Sequence, residues 1–153
     1  MNDKHEQFMR IAIEEAKKSD HQQRPNPMVG AVIVEDNQVA STGYHKKAGE
    51  AHAEINALRD LGRRPQDNAT LYVTLEPCST QGQTGACTDA ILQSGLSAVV
   101  VGAIDPNPDH QGRGIEILSQ AGLSVTVGIL ADECEALNPE FNEMMRQKGK
   151  DHG

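Results

Sequence analysis

The sequence has no tryptophan and little of any aromatic residue, of cysteine or of positive charge. Phe, Trp and Tyr together make up 3% of its 153 residues, so a hydrophobic core has to be built mainly from Ala, Val, Ile and Leu. Lys and Arg number 14 against 22 for Asp and Glu, which gives a formal net charge of -8. Because such a surface repels phosphate backbones, the composition disfavours general nucleic-acid binding.

Long apolar runs are missing as well. Residues 1–18 alternate charged and apolar side chains, whereas a secretory signal or a membrane span needs an unbroken apolar segment. We therefore expect a cytoplasmic protein that does not associate with membranes. There is no repeat or linker, and a chain of this length can bury the core of one domain. Residues 1–153 are predicted to form that single domain.

The apolar pattern alternates between helical and strand character and predicts an α/β fold. The predicted helices are an opening one that ends before residue 19, then 52–61, 87–94, 114–121 and 130–148; the predicted strands are 29–34, 39–44, 70–75, 98–103 and 123–127. The first two strands are expected to form a hairpin. The last three are expected to pair in parallel, because helices connect them.

The three cysteines are an odd number, which in a reducing compartment favours metal binding or catalysis over disulfides. One of them has a structural explanation, since an apolar stripe at helical spacing includes it: Leu130, Cys134, Leu137, Phe141 and Met144. A free cysteine on such a face behaves as a small hydrophobe. Asn138 followed by Pro139 resembles a helix N-cap with proline at the first position, so the helix is predicted to break and restart there.

The other two cysteines, Cys78 and Cys87, each lie near a predicted transition from strand to helix. Upstream, His52 and Glu54 stand at the start of another predicted helix. This is the His-x-Glu element of zinc deaminases, whose usual second half is Pro-Cys-x-x-Cys. Here Glu76-Pro77-Cys78 begins the second half, but eight residues instead of two separate the cysteines.

Residues two apart in the middle of a helix point about 200° apart, so His52 and Glu54 can serve one ion only at a helix start. One imidazole and two thiolates would leave the fourth position of Zn²⁺ to water, as in catalytic zinc sites. Taken singly, each motif has a plain alternative: His-x-Glu occurs by chance, and Cys78 could close a buried strand. Their conjunction favours zinc. A non-catalytic zinc module would not need Glu54 as a proton carrier.

The sequence resembles the deaminase domain of the bifunctional riboflavin-biosynthesis deaminase/reductase family, in the cytidine deaminase-like fold. The eight-residue gap between the cysteines is that family's own spacing. The resemblance extends over residues 24–141 and includes Arg24-Pro25-Asn26-Pro27, Gly43-Tyr44-His45, His52-Ala53-Glu54, Tyr72-Val73-Thr74-Leu75-Glu76-Pro77-Cys78, Cys87-Thr88-Asp89-Ala90 and Asp105-Pro106-Asn107-Pro108.

This resemblance implies a three-layer fold with a mixed five-stranded sheet between helices, and zinc held by His52, Cys78 and Cys87. It implies hydrolytic deamination of an aminopyrimidine-type ring, most like the riboflavin precursor diaminohydroxyphosphoribosylaminopyrimidine, with Glu54 as the acid and base. Relatives in this fold often associate, so at least a homodimer is expected. The sequence has no counterpart of the family's reductase domain, and only the deaminase step is expected of this chain.

The resemblance also implies that Asn26 and His45 contact the substrate, although Asn26 could simply shape a loop and His45 could close a strand. Asp105 and Asn107 follow the fourth strand, at the edge where open α/β sheets bind ligands. A turn role is the alternative for both, because Asp, Asn and Pro favour turns.

The loop between the cysteines departs from the family pattern. The family commonly has a histidine and a basic residue there that help to hold a ribose phosphate, and this chain has Thr80 and Gln83 in their place. With Ser79 they are predicted to line the substrate site, but without a charged contact to phosphate. A non-phosphorylated pyrimidine, pterin or nucleoside is therefore an alternative substrate. A tRNA or DNA base is disfavoured by the acidic charge and the few aromatic residues.

Overall fold

The computed structural model describes residues 3–18, 28–45, 52–77, 87–106 and 111–152, and the structural statements below concern these residues. Six helices and five strands alternate along this part of the chain. The helices are α1 (Asp3–Ala16), α2 (Ala53–Leu61), α3 (Cys87–Ser94), α4 (Arg113–Gln120), α5 (Ala131–Glu135) and α6 (Pro139–His152); the strands are β1 (Gly30–Glu35), β2 (Gln38–Tyr44), β3 (Thr70–Leu75), β4 (Ala98–Ala103) and β5 (Ser124–Val127). None of these helices is long and apolar enough to cross a membrane.

The five strands form one mixed sheet in the order β2-β1-β3-β4-β5. Strand β1 is antiparallel to both β2 and β3, while β3, β4 and β5 are parallel. Asp36 and Asn37 connect the β1–β2 hairpin with φ values of 52° and 63°, a backbone conformation that Asp and Asn tolerate better than most residues and that suits a tight hairpin. The predicted hairpin, the parallel pairing and the mixed five-stranded sheet are confirmed.

Helices cover both faces of the sheet, as the resemblance implied for a three-layer fold. Because side chains alternate along a strand, Val32, Val34 and Val100 pack with α1 and α5 in one buried cluster. Ala31, Ile33, Leu71, Val73, Val99 and Val101 pack with α2, α3 and α4 on the other side. Both clusters consist mainly of small and branched aliphatic residues, as the shortage of aromatic residues required.

Two glycines let helices lie directly against the hairpin. A Cβ added to Gly30 would lie 1.9 Å from the Ala12 carbonyl oxygen in α1, and one added to Gly43 would lie 2.4 Å from the Ala57 nitrogen in α2. Real Cβ atoms do not approach a backbone so closely, so any larger residue would displace the helix. Gly43 therefore fixes how close α2 comes to β2.

The closing helical stretch differs from the prediction in one respect. Cys134 is 2% exposed and belongs to the α1 cluster, which confirms its place in the core. The apolar stripe as one continuous face was wrong, because the helix breaks between α5 and α6 and Met144 is 42% exposed. The predicted break at Asn138 is confirmed, since α6 begins at Pro139. The Asn138 side chain accepts from the Met28 N–H at 2.5 Å and donates to the Met28 carbonyl at 2.9 Å.

The carboxyl ends of β2, β3, β4 and β5 share one edge of the sheet, as their register requires. At the opposite end, the buried Glu35 carboxylate accepts hydrogen bonds from the Arg63 guanidinium at 2.5 and 3.0 Å and from the Gln66 N–H at 2.8 Å. These donors, Arg63 first, hold the pKa of Glu35 below its ordinary value.

Candidate functional site

Several predicted site residues follow strands that end at the same edge. His45 follows β2, Glu76 and Pro77 follow β3, and Asp105 lies two residues beyond β4. Helix α3 also begins at this edge, because it has to return from the carboxyl end of β3 to the start of β4 at the other end of the sheet. The carboxyl edge of an open α/β sheet is the usual place for a ligand.

His52 and Glu54 lie at the beginning of α2, as their spacing required. His52 is the N-cap residue with extended backbone angles (φ -73°, ψ 168°), and its side chain makes no capping hydrogen bond to the helix. Glu54 is in the first turn and is 3% exposed. At a helix start these two side chains are not restricted to opposite sides of a cylinder. A buried carboxylate two residues after an imidazole suits proton transfer next to a metal.

Backbone contacts fix this end of α2 to the end of β2. The Asn56 side-chain amide donates to the Tyr44 carbonyl at 2.8 Å, and the Asn56 backbone N–H donates to the His52 carbonyl at 3.0 Å. His45 follows directly after Tyr44 and is 7% exposed, and its N–H donates to the Val29 carbonyl at 3.0 Å. Strand end and helix start are therefore held as one unit.

The structure brings two of the predicted histidines together. The ring centroids of His45 and His52 are 5.1 Å apart, with an interplanar angle of 84°. The two rings therefore lie next to each other at the carboxyl edge of the sheet. The substrate role of His45 stays a prediction.

Of the two predicted cysteine ligands, the structure describes the backbone of one. Cys87 is the first residue of α3, as predicted, but its side chain and all of Cys78 lie outside the described residues. Within the described ranges, which leave out those two thiols, no group of three or more His, Cys, Asp or Glu side chains is arranged to hold a metal. An imidazole and thiolates are donors that suit Zn²⁺.

The third cysteine lies on the opposite face of the sheet from α2 and α3. Cys134 lies among the residues that pack with α1, whereas α2 and α3 cover the other face. Burial, with smaller contributions from Glu133 and Glu135, raises the pKa of the Cys134 thiol from 9.0 to about 12. A buried thiol of that kind is inert, so only Cys78 and Cys87 fit as thiolate ligands.

Asp105 is half-buried and its backbone N–H donates to a carboxylate oxygen of Glu76 at 3.1 Å. The remaining predicted substrate residues are outside the described residues, and their roles stay predictions: Asn26, Ser79, Thr80, Gln83 and Asn107. Of the predicted set, the structure thus brings His45, His52, Glu54 and Asp105 to one edge, together with the start of α3.

The sequence analysis assigned no role to Glu76, although this residue directly precedes Pro77 and Cys78. Its side chain is 4% exposed and accepts four backbone hydrogen bonds. A glutamate between a buried strand and Pro77 needs donors from elsewhere in the chain, because a buried charge without partners is very costly. That requirement was readable from the sequence, but the identity of the donors was not.

One known protein family matches this chain. Residues 2–103 match the family model of the cytidine and deoxycytidylate deaminase zinc-binding region. This range contains His52, Glu54, Cys78 and Cys87, and the family's description confirms the zinc prediction at the level of the family.

Individual relatives agree with the family model. The chain is 46% identical over 141 residues to the riboflavin biosynthesis protein RibD of Aquifex aeolicus, covering 92% of this chain and 39% of that protein. It is 42% identical over 139 residues to a diaminohydroxyphosphoribosylamino-pyrimidine deaminase of Buchnera aphidicola, covering 91% of this chain and 94% of that protein.

A solved structure of Acinetobacter baumannii RibD superposes with a TM-score of 0.89 at 44% identity, covering 94% of this chain and 40% of the other. The chain thus spans about two fifths of the length of the RibD proteins that it matches. The resemblance inferred from the motifs is confirmed, and the chain belongs to the zinc-binding cytidine and deoxycytidylate deaminase family, in its riboflavin-biosynthesis branch.

Proposed function

We propose that this chain is a zinc-dependent hydrolase that replaces the amino group of a pyrimidine-type ring by oxygen and releases ammonia. The substrate that fits best is the riboflavin precursor diaminohydroxyphosphoribosylaminopyrimidine. The Buchnera relative is named for deaminating this compound, and this chain covers 94% of that protein's length. One water is consumed: its oxygen becomes the ring carbonyl, and its two protons go to the ring nitrogen and to the leaving amino group.

One observation carries the proposal. Glu54 is buried in the first turn of α2, two residues after His52 at the N-cap, at the edge where α3 begins with Cys87. The proposed ligands are His52, Cys78 and Cys87. Zinc bound there would supply the Lewis acidity that makes water a nucleophile at neutral pH.

The protein's own residues would move the protons. Glu54 accepts the proton of the attacking water and passes protons to the ring nitrogen and then to the departing ammonia. Its burial limits competing contacts with solvent. His45, whose ring lies 5.1 Å from that of His52, would border the space that the substrate ring occupies.

The function is tested by ammonia release from the purified zinc-loaded protein. The panel contains the riboflavin precursor phosphate, its dephosphorylated form, a pterin, and cytidine with its monophosphate. Turnover that prefers the precursor phosphate supports the proposal. Activity confined to uncharged rings would show that the reaction is right and the substrate is a different one. Thr80 and Gln83, which stand where the family commonly has a histidine and a basic residue, favour that outcome. No ammonia from any member of the panel would contradict the function.

Thiol labelling tests the proposed ligand set without an activity assay. With zinc bound, we expect slow reaction of all three cysteines; after chelation, Cys78 and Cys87 should react fast while Cys134 reacts only in denaturant. The reason is that Cys134 is 2% exposed and its pKa is raised to about 12. Ammonia release should stop on chelation and return with added Zn²⁺.

The matched control for this labelling is Cys134→Ala, which should remove only the slow, denaturant-dependent reaction. Three thiols that react at one rate after chelation, or a fast thiol that disappears with Cys134→Ala, would contradict the ligand set.

Three further expectations belong to this proposal. Residues 1–153 would act as one deaminase domain, the protein would work in the cytoplasm, and it would form at least a homodimer. Sedimentation of the purified protein measures the oligomeric state directly, and a strictly monomeric active enzyme would contradict the dimer.

A further inference from the structure

We propose that Glu76 is a positioning residue for substrate binding, because its carboxylate holds both ends of the segment that follows β4. The part of this inference that concerns substrate rests on the proposed function. Glu76 comes directly after β3, two residues before Cys78, and is 4% exposed. It is therefore a buried carboxylate at the end of a core strand, two residues before a proposed metal ligand.

One carboxylate oxygen of Glu76 contacts two backbone N–H groups that are seven residues apart along the chain. Oε1 accepts from the Asp105 N–H at 3.1 Å and from the Gly112 N–H at 3.0 Å. Asp105 and Gly112 stand on either side of residues 106–111, so a single oxygen atom holds the two ends of that segment together. Asp105, which donates to this oxygen, is itself one of the predicted substrate residues.

The other oxygen holds the start of α4. Oε2 accepts from the Gly114 N–H at 2.9 Å and from the Ile115 N–H at 3.3 Å. Backbone N–H groups in the first turn of a helix have no partners within the helix and carry partial positive charge, so a carboxylate is well suited to them. All four donors of Glu76 therefore lie between the end of β4 and the first turn of α4.

Close packing requires glycine at this contact. A Cβ on Gly114 would lie 2.2 Å from the Pro77 carbonyl oxygen, and Gly112 has a φ of 79°, which suits glycine best. The sequence Gly112-Arg113-Gly114 thus lets the start of α4 reach both Glu76 and the turn after β3.

The end of β3 itself does not depend on the carboxylate. The Glu76 backbone N–H donates to the Ala103 carbonyl at 2.8 Å, so the chain that leads to Cys78 stays paired with β4 when the side chain changes. Loss of the charge should therefore loosen the contacts of Asp105 and Gly112 and leave the proposed ligand Cys78 in place. The expected consequence is weaker substrate binding at nearly unchanged zinc affinity and turnover.

Glu76→Gln tests this inference. The amide keeps the size of the side chain, but its NH₂ group faces two N–H donors, which leaves them without an acceptor. We expect KM for the best substrate to rise about tenfold or more, the scale of losing hydrogen bonds to a charged group, with kcat within about threefold of the parent. Zinc content should match the parent, and amide exchange at Asp105 and Gly112 should become faster.

Glu35→Gln is the matched control. It also changes a buried carboxylate that accepts a backbone N–H, at the far end of the sheet, and should lower stability with KM unchanged. An equal rise in KM in both variants would show a general effect of stability and overturn the inference. An unchanged KM, or loss of zinc, in Glu76→Gln would overturn it too.

A third variant covers failure of Glu76→Gln to fold. Glu76→Asp keeps the charge but is one methylene shorter, so it cannot reach all four donors; it should raise KM with zinc retained, and a parental KM would overturn the inference. If the parent protein releases no ammonia at all, the proposed function fails. Amide exchange at Asp105 and Gly112 then still decides whether Glu76 holds the loop.

Discussion

Replacing Glu54 by Gln is expected to abolish ammonia release while zinc stays bound. A positioned acid and base contributes about 10² to 10⁴-fold to a reaction of this kind, and the amide cannot accept the proton of the attacking water. Because Glu54 is 3% exposed and lies in the first turn of α2, no solvent-exposed carboxylate can readily take its place. The measurements are kcat for ammonia release and zinc content by metal analysis.

The control for Glu54→Gln is Glu116→Gln. Glu116 is also a first-turn glutamate, in α4, but it is exposed and its side chain contacts Gln120. This change removes the same charge from a helix start and should leave turnover at the parent level. A Glu54→Gln protein that turns over at the parent rate would contradict the role of Glu54, and one that loses its zinc would make Glu54 a metal ligand.

Gly43→Ala is expected to lower both the stability and the activity of the protein. The added Cβ would lie 2.4 Å from the Ala57 nitrogen and 2.5 Å from the Ala53 carbonyl oxygen, so α2 has to move away from β2. Overpacking of this kind costs about 1–3 kcal/mol of stability or more. His52 and Glu54 lie at the start of α2. A displacement of α2 by about 1 Å should therefore also lower kcat/KM on the order of 100-fold.

Gly30→Ala separates these two effects. Its Cβ would meet the Ala12 carbonyl oxygen at 1.9 Å and the Ala16 nitrogen at 2.6 Å, which displaces α1 on the opposite face of the sheet. We expect a similar or larger loss of stability, measured by denaturant unfolding, but a smaller loss of kcat/KM in assays well below the unfolding temperature. Equal losses of kcat/KM would mean that Gly43 acts only through stability.

Local signals predicted most of the secondary structure. The bounds of α3, β3 and β4 coincide with the predicted residues 87–94, 70–75 and 98–103. Each of these strands is a short run of apolar residues with turn-forming residues on both sides. The prediction of one apolar face from Leu130 to Met144 was wrong, because helical spacing alone does not show whether a helix continues. The break itself was predicted from Asn138 and Pro139. Asn138 pairs with the Met28 backbone instead, a contact across 110 residues.

In the candidate site, too, local motifs were predictable from the sequence and contacts between distant residues were not. His-x-Glu and the cysteine spacing are local patterns, so the sequence was sufficient to predict a zinc deaminase site and to place His52 at a helix start. The contact of His45 with His52 depends on how β2 and α2 meet. The role of Glu76 depends on N–H groups 29 to 39 residues further along the chain.

The sequence by itself determined the alternation of strands and helices, the chemistry of the donor set and the family, because these are carried by residue types at fixed short spacings. Only the tertiary structure decided which strand ends share an edge, how close α2 lies to β2 at Gly43, and which donors surround the Glu76 carboxylate. The physical reason is that a buried polar group is satisfied by whatever the fold brings to it. No short stretch of sequence specifies that partner.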